Sequence, residues 1–254
     1  MSTAIITGAS AGMGQEFVRQ LQEFFPEIRE LWLIARRQER LEAMARDLGG
    51  ELSVFVLPLD LTAPESFDAL QQQLSQRQPQ VCLLINNAGC GYLGNVGEMD
   101  VASQTRMTEL NVTALTAVTT AVLPYMSVGS HIINLSSIAS FCPNPRMTVY
   151  SATKAYVSAF SRGLGEELRS SGITVTAVCP GPMDTEFLAL AGTVPGASPM
   201  FDTLPHSDPA KVVRGAYQAA RAGKAVYTHR GLFKLYRVLA KLLPHSLLVK
   251  FTKT

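Results

Sequence analysis

The sequence predicts an α/β fold with a mostly parallel sheet covered by helices on both faces. Three observations carry that prediction. Strand-like segments at 3–7, 31–35, 52–57, 81–86, 130–136, 173–178 and 224–228 alternate with segments of helical periodicity. A glycine-rich turn follows the first of these strands directly. The length of 254 residues suits one large domain better than two small ones, and no internal repeat or low-complexity linker divides it. Alternating strand–helix units imply parallel neighbours, because a crossover helix returns the chain to the same end of the sheet.

The elements justify this in order. Residues 3–7 read as a short buried strand that runs into Gly8-Ala-Ser10-Ala-Gly12-Met13-Gly14, followed by a helix with Phe17, Val18 and Leu21 on its apolar period. Glycines allow a tight turn and close approach of backbone to a pyrophosphate, and the helix N-terminus offers N–H groups and partial positive charge. The spacing is G-x-x-x-G-x-G rather than G-x-G-x-x-G, so a tight turn without a ligand stays open as an alternative. The second strand, Leu31-Trp-Leu-Ile-Ala35, ends in Arg36-Arg37, where a carboxylate would select the 2′-hydroxyl of NAD. An arginine there grips a 2′-phosphate instead, which favours NADP(H), with NAD(H) possible. Arg36 is the first candidate and Arg37 the second; the alternative is a solvated charge opening the next helix.

After the third strand comes Leu57-Pro-Leu-Asp60-Leu61, in which Asp60 or Thr62 can also serve as a helix cap before Pro64. The fourth strand ends in Asn86-Asn87-Ala88-Gly89, a small turn that lets backbone come close to a ligand. A long helical pattern around 99–126 contains Asn111, and another around 149–170 contains Tyr150-Ser-Ala-Thr-Lys154. Ser137 closes the fifth strand, with Ser136 as its competing neighbour, and Pro180-Gly181-Pro-Met-Asp-Thr185 follows the sixth. Ligands of such a sheet sit beyond the carboxyl ends of its strands, and these motifs fall after strands one, four, five and six.

Tyr150 and Lys154 carry the chemistry. Four residues apart, they lie on one face of a helix. Tyrosine has an ordinary pKa of about 10, and a neighbouring ammonium is expected to lower it toward the range of a working acid or base. That suits proton transfer at an oxygen, which a hydride carrier would complete to an alcohol–carbonyl interconversion.

With these motifs in this order, the chain resembles the short-chain dehydrogenase/reductase family in its compact, NADP-preferring form, from Thr7 to about Thr185. The resemblance implies a Rossmann-type, doubly wound sheet of seven strands in the order 3-2-1-4-5-6-7 within a single domain, 1–254. It also implies site roles. Ser137 donates to the developing oxyanion and Tyr150 supplies the proton. Lys154 binds the nicotinamide ribose and tunes the tyrosine, and the Asn111 carbonyl holds a relay water. Asp60 and Leu61 meet the adenine, Asn87, Ala88 and Gly89 approach the ribose, and Pro180, Gly181 and Thr185 meet the nicotinamide. Asn87 resembles the position that braces the central sheet, so a structural role is at least as expected there. Two departures stand out: Ala11 replaces the basic loop residue of some relatives, and Pro182 stiffens the loop after Pro180-Gly181.

Residues 186–206, with Phe187, Leu188, Leu190, Val194, Met200, Phe201 and Leu204, have no charge between Glu186 and Asp202 and read as an apolar substrate lid. Cys142, Asn144, Met147 and Phe187 are further substrate-pocket candidates. The expected substrate is a hydrophobic carbonyl compound such as a 3-oxoacyl thioester, a steroid or another lipid ketone. In the C-terminal extension, 230–254, positions 232, 235, 236, 239, 242 and 243 form an apolar helical face, with Lys234, Arg237 and Lys241 on another. A lid or subunit contact is the first reading of it, and shallow contact with an anionic membrane the second.

Composition fits a single soluble, cytoplasmic domain. Net charge is +2 with scattered charges, which argues against a nucleic-acid partner. Cys82, Cys90, Cys142 and Cys179 show no C-x-x-C pairing and read as free thiols rather than disulfides or a metal site. Gly8-Ala-Ser-Ala-Gly12 also matches the G-x-S-x-G elbow of hydrolases, but none of the four histidines has a supporting context. A P-loop fails because no Gly-Lys-Ser/Thr follows. A non-catalytic dinucleotide sensor is the better rival, although such relatives commonly lose the tyrosine or lysine. The resemblance further implies that the helices at 99–126 and 149–170 pair between subunits, giving a homodimer or homotetramer.

Overall fold

The computed structural model of the chain describes residues 2–50, 52–190, 203–250 and 252. Seven strands form one sheet: β1 (Ser2–Thr7), β2 (Glu30–Ile34), β3 (Ser53–Leu57), β4 (Gln80–Asn86), β5 (Met126–Leu135), β6 (Thr174–Val178) and β7 (Val226–Tyr227). Their order is β3-β2-β1-β4-β5-β6-β7 and every pairing is parallel, as expected from the strand–helix alternation. All carboxyl ends therefore open on one edge of the sheet.

Strand periodicity divides two apolar cores. Ile6, Leu31, Leu33, Leu83, Ile85 and Ile133 face one side, where they meet Phe17, Val18 and Leu21 of α1 (Gly12–Phe24). Ile5, Trp32, Ile34, Leu84 and Ile132 face the other, against Leu70 and Leu74 of α3 (Glu65–Arg77). Burial on both faces explains why stretches such as Ala4–Ile6, Leu31–Ile34 and Leu83–Ile85 are apolar at successive positions instead of alternating. Helix α2 (Gln38–Leu48) leans on the first core through Leu41.

The long helical pattern around 99–126 is not one helix. It divides into α4 (Val101–Thr108), a wide π turn at Glu109–Thr113, α5 (Ala114–Val122) and a 3₁₀ turn at Leu123–Tyr125. Asn111 sits inside the π turn, and such insertions commonly mark functional sites. Strand β5 begins earlier than expected, at Met126, and bulges so that Val81 pairs with Met126 but Leu83 with His131. Gly129, with φ at 86°, permits that detour, and Ser130 fastens it by donating to the Val81 carbonyl at 3.0 Å.

Helix α6 (Thr148–Glu167) carries Tyr150 and Lys154, and the short α7 (Glu186–Leu190) follows the sixth strand's loop. Of the expected lid, residues 191–202, including Val194, Met200 and Phe201, lie outside the described residues. Helix α8 (Pro209–Arg221) completes the first core with Val212, Val213, Ala216 and Tyr217. Helices α9 (Gly231–Leu242) and α10 (His245–Leu248) end the chain's regular structure. The buried residues of α9 are Phe233 and Ala240, while Leu232, Leu235, Leu239 and Leu242 of its leucine face are exposed. Among the described residues no helix is long and apolar enough to cross a membrane.

Candidate active site

One continuous cavity of about 430 Å³ runs along the carboxyl edge of the sheet. Gly8, Ser10, Gly12 and Met13 line one stretch, Arg36, Arg37, Asp60 and Leu61 another, and Asn87, Ala88 and Gly89 its floor. Ser137, Asn144, Met147, Tyr150, Lys154, Pro180, Gly181, Thr185 and Phe187 complete the far end. The structure thus gathers residues from the segments after six strands and from helices α6 and α7, which sequence order had only aligned. Gly14, Asn111 and Cys142 are not on the lining.

Packing demands two glycines of the first loop, Gly8 and Gly14. Gly8 has φ at 65°, and a Cβ on it would stand 2.8 Å from Ala88 Cα. A Cβ on Gly14 would meet the Gly8 carbonyl oxygen at 2.1 Å, so Gly14 serves the turn and not the cavity wall. Asn87 braces this turn: its Nδ2 donates to the carbonyls of Thr7 and Gly8, both at 3.1 Å. Thr7 Oγ1 in return accepts from the N–H groups of Asn87 and Ala88. Helix α1 starts without a side-chain cap and with no acid in its first turn, which leaves its positive end directed at the cavity.

The next stretch is charged and half exposed. Arg37 donates to Ser10 Oγ at 3.2 Å and to the Ser10 carbonyl at 3.3 Å, holding the glycine loop. It also reaches Glu186 at 2.9 Å, and Arg40 reaches the other oxygen of that carboxylate at 2.7 Å. Hydrogen bonds from Arg37 and Arg40 hold the Glu186 carboxyl below the usual range. Arg36 extends into solvent 3.9 Å from Asp60, which Arg106 approaches to 3.4 Å. Asp60 accepts from both the N–H and the hydroxyl of Thr62, so it shapes the turn before α3. Burial raises the Asp60 pKa, but the Thr62 hydrogen bonds and the two arginines outweigh it and leave the carboxyl below its ordinary value.

The far end is buried. Ser136 and Ser137 point to different tasks: the Ser136 hydroxyl donates to the Lys154 carbonyl at 2.8 Å, fastening β5 to α6. Ser137 caps the 3₁₀ turn Ile138–Ser140 by accepting from Ala139 N–H. Lys154 Nζ donates to the Leu135 carbonyl at 2.8 Å and lies 5.7 Å from the centroid of the Tyr150 ring.

Asn111 acts from behind the wall. Its Oδ1 accepts from Cys90 N–H at 2.9 Å, and its Nδ2 donates to the Cys90 carbonyl and to Thr153 Oγ1. That clamp joins the π turn, the loop after β4 and α6. Little space remains inside it: a Cβ on Gly89 would stand 3.0 Å from Asn111 Oδ1 and 3.4 Å from Lys154 Nζ.

The electrostatics correct one expectation. Burial pushes the Tyr150 phenol up to about 12, with the Ser137 hydroxyl working against it. Burial likewise pulls Lys154 down to about 8. The expected fall of the tyrosine pKa is therefore not found; Lys154 is committed to Leu135, and desolvation of the phenolate dominates. Burial thus moves the phenol further from the neutral range rather than closer to it.

Around Tyr150 the wall is apolar. Met147 and Met107 pack with it, and the Phe187 ring lies 5.8 Å away, centroid to centroid. Asn144 is tied to Ser151 and to the Thr252 carbonyl. Cys142 is buried by Tyr236 and Thr252, away from the cavity. Sequence reasoning missed Glu186, Arg40, Gly91 and Tyr236. Gly91 had a signal, since it follows Asn86-Asn-Ala-Gly89 by two positions, and a Cβ there would strike Tyr150 and Phe187 within 3 Å. The others are joined to the site only by the fold.

Comparison with known proteins leads to the same family. Residues 2–193 match the model of the short chain dehydrogenase family. Sulfoacetaldehyde reductase 2 of Chromohalobacter salexigens is 34% identical over 72% of this chain and 73% of its own length. A short-chain dehydrogenase of Sphingobium yanoikuyae, solved with NADPH, is 31% identical, covers 96% of both chains and superposes with a TM-score of 0.78. The bulky-bulky ketone specific alcohol dehydrogenase of Comamonas testosteroni is 27% identical over 96% of this chain and 95% of its own, with a TM-score of 0.73. The chain belongs to the short-chain dehydrogenase/reductase family of oxidoreductases.

Proposed function

We propose that the protein is an NADPH-dependent reductase of a hydrophobic ketone or aldehyde, forming the alcohol reversibly. One observation carries the reading: Tyr150, Ser137 and Lys154 meet at one end of a single cavity whose other end carries Arg36 and Arg37. The glycine cradle, the uncapped start of α1 and the arginines fit a dinucleotide phosphate group by shape and by charge. The cofactor, when bound, supplies hydride to the carbonyl carbon.

The chain's own residues do the rest. Gly8, Ser10, Gly12 and Met13 hold the pyrophosphate, Arg36 and Arg37 the 2′-phosphate, and Asp60 and Leu61 the adenine. Asn87, Ala88 and Gly89 lie along the ribose, and Pro180, Gly181 and Thr185 orient the nicotinamide. Ser137 donates to the carbonyl oxygen as negative charge develops there. Tyr150, protonated at neutral pH, gives the proton to that oxygen. Lys154 holds the ribose hydroxyls and places positive charge beside the phenolate left behind. Asn111 positions this group through Cys90 and Thr153.

Met147, Phe187, Leu188, Leu204 and Tyr236 form an apolar wall at the tyrosine end, which supports a hydrophobic substrate. The C. testosteroni relative, named for bulky ketones, and the S. yanoikuyae relative, solved with NADPH, support the same reading. A cytoplasmic setting accords with four free cysteines. Pairing of α4, α5 and α6 between subunits into a dimer or tetramer completes the proposal; Val101 and Tyr156 are exposed on those helices.

The test is turnover of a carbonyl panel, from small aldehydes to bulky lipid ketones, with NADPH against NADH, followed by loss of cofactor absorbance. Faster NADPH consumption with bulky apolar ketones is expected. Tight cofactor binding with no turnover of any carbonyl or alcohol would leave a dinucleotide sensor instead.

A further inference from the structure

Helix α9 is amphipathic in an unusual sense: it docks by its narrower apolar edge and turns its leucines outward. Phe233 fills the space above Gly181, where a Cβ would meet its ring at 2.2 Å, and Ala240, about two turns further along the same edge, is also buried. Leu232, Leu235, Val238, Leu239 and Leu242 lie on the opposite side, and Leu243 and Leu247 continue the stripe into α10. Among the described residues, these seven make up most of the eleven exposed large hydrophobic side chains of the protein. Leu242 is 74% exposed and Leu235 is 56% exposed. Contiguous apolar surface of this kind marks a contact with a partner or a membrane.

Charge decides between the two. Residues 231–254 contain five of the chain's 22 basic residues and none of its 20 acidic ones. At 100° per residue, Lys234 and Lys241 fall next to each other along one border of the leucine stripe, between it and the docked edge. A second copy of this helix would bring lysine against lysine with no carboxylate of its own segment to answer them. An anionic bilayer answers both features, since leucines enter the acyl boundary while flanking lysines reach lipid phosphates.

The geometry points to α9 and α10 as a peripheral docking surface for anionic membrane lipid. Because Tyr236 of the same helix lines the catalytic cavity, docking sets the substrate end of the site beside the lipid surface. The inference does not require the proposed reaction, and its test reads membrane partition alone.

The experiment is flotation of the full chain with phosphatidylcholine vesicles and with equimolar phosphatidylcholine–phosphatidylserine vesicles. Partition into the anionic vesicles, weakened by added salt, is expected. Lys234→Glu/Lys241→Glu should lower that partition about tenfold or more. Leu235→Ser/Leu239→Ser/Leu242→Ser should lower it similarly, with thermal melting and cofactor binding unchanged because none of the three lines the cavity or the core. Absence of partition into either vesicle overturns the inference. So does a triple variant that floats like the parent but sediments at a smaller assembly size, which would make the stripe a contact between copies.

Discussion

At the Tyr150 end of the cavity Tyr150, Lys154 and, behind the wall, Asn111 are all less than one-tenth exposed, and Asn111 makes three side-chain hydrogen bonds. At the Arg36–Arg37 end, proposed to hold phosphate, Arg37, Arg40, Glu186 and Asp60 stand roughly half in solvent, joined by ion pairs that can be exchanged. Exposed pairs are each worth at most about 1 kcal/mol, whereas a buried ammonium carries a cost of several. The contrast separates two jobs. A proton donor, the role proposed for Tyr150, needs fixed geometry, which burial provides. A phosphate clamp needs charge that can leave one carboxylate for another anion.

The largest effect should come from breaking the buried end. Lys154→Met is expected to lower kcat about a hundredfold or more. The same substitution should stabilise the fold. Lys154 titrates at about 8 when folded, against an ordinary value of 10.5. Below about 8 both states hold the proton, so the folded state bears the full cost of the buried charge; the cost fades as pH rises toward the unfolded value. Lys154→Met should therefore add about 1–3 kcal/mol at pH 7 and less at alkaline pH, as read by urea unfolding at several pH values. In the parent enzyme, reduction should decline above about pH 8 as Lys154 loses its charge.

At the exposed end the effects should be smaller and confined to cofactor choice. Arg36→Ala is expected to weaken NADPH binding about tenfold, the worth of one charge-assisted hydrogen bond, and to spare NADH. Fluorescence titration with both cofactors checks this. Glu186→Gln should act in the opposite direction, tightening NADPH about two- to fivefold by freeing Arg37 and Arg40 from a competing carboxylate. If it weakens NADPH instead, the two ends are not independent and Glu186 holds the clamp in shape.

The same contrast explains what could be read in the sequence. Strand positions and parallel pairing were legible because Ile5 and Ile6, or Leu31 and Trp32, are apolar on successive residues, as burial on both faces requires. The Tyr150–Lys154 pair was legible because it depends on helical spacing alone. The direction of the tyrosine shift was not, because it depends on burial and on a lysine that bonds Leu135.

Nothing in Glu109-Leu-Asn-Val-Thr113 breaks a helix; among its visible contacts are those of Asn111 with Cys90 and Thr153. Glu186 and Arg37 are 149 positions apart and meet only through the topology. On α9, periodicity located a leucine face but could not tell that the opposite edge, with Phe233, is the one that docks.

The measurement that bears most directly on the account is turnover by Tyr150→Phe alongside its NADPH affinity. The variant keeps the ring between Met147 and Phe187 and loses only the proton donor. It should bind NADPH within about twofold of the parent yet reduce its best carbonyl about a hundred- to ten-thousandfold more slowly. Unchanged turnover at unchanged affinity would contradict the assignment of the proton to Tyr150, and with it the buried end as the seat of the chemistry.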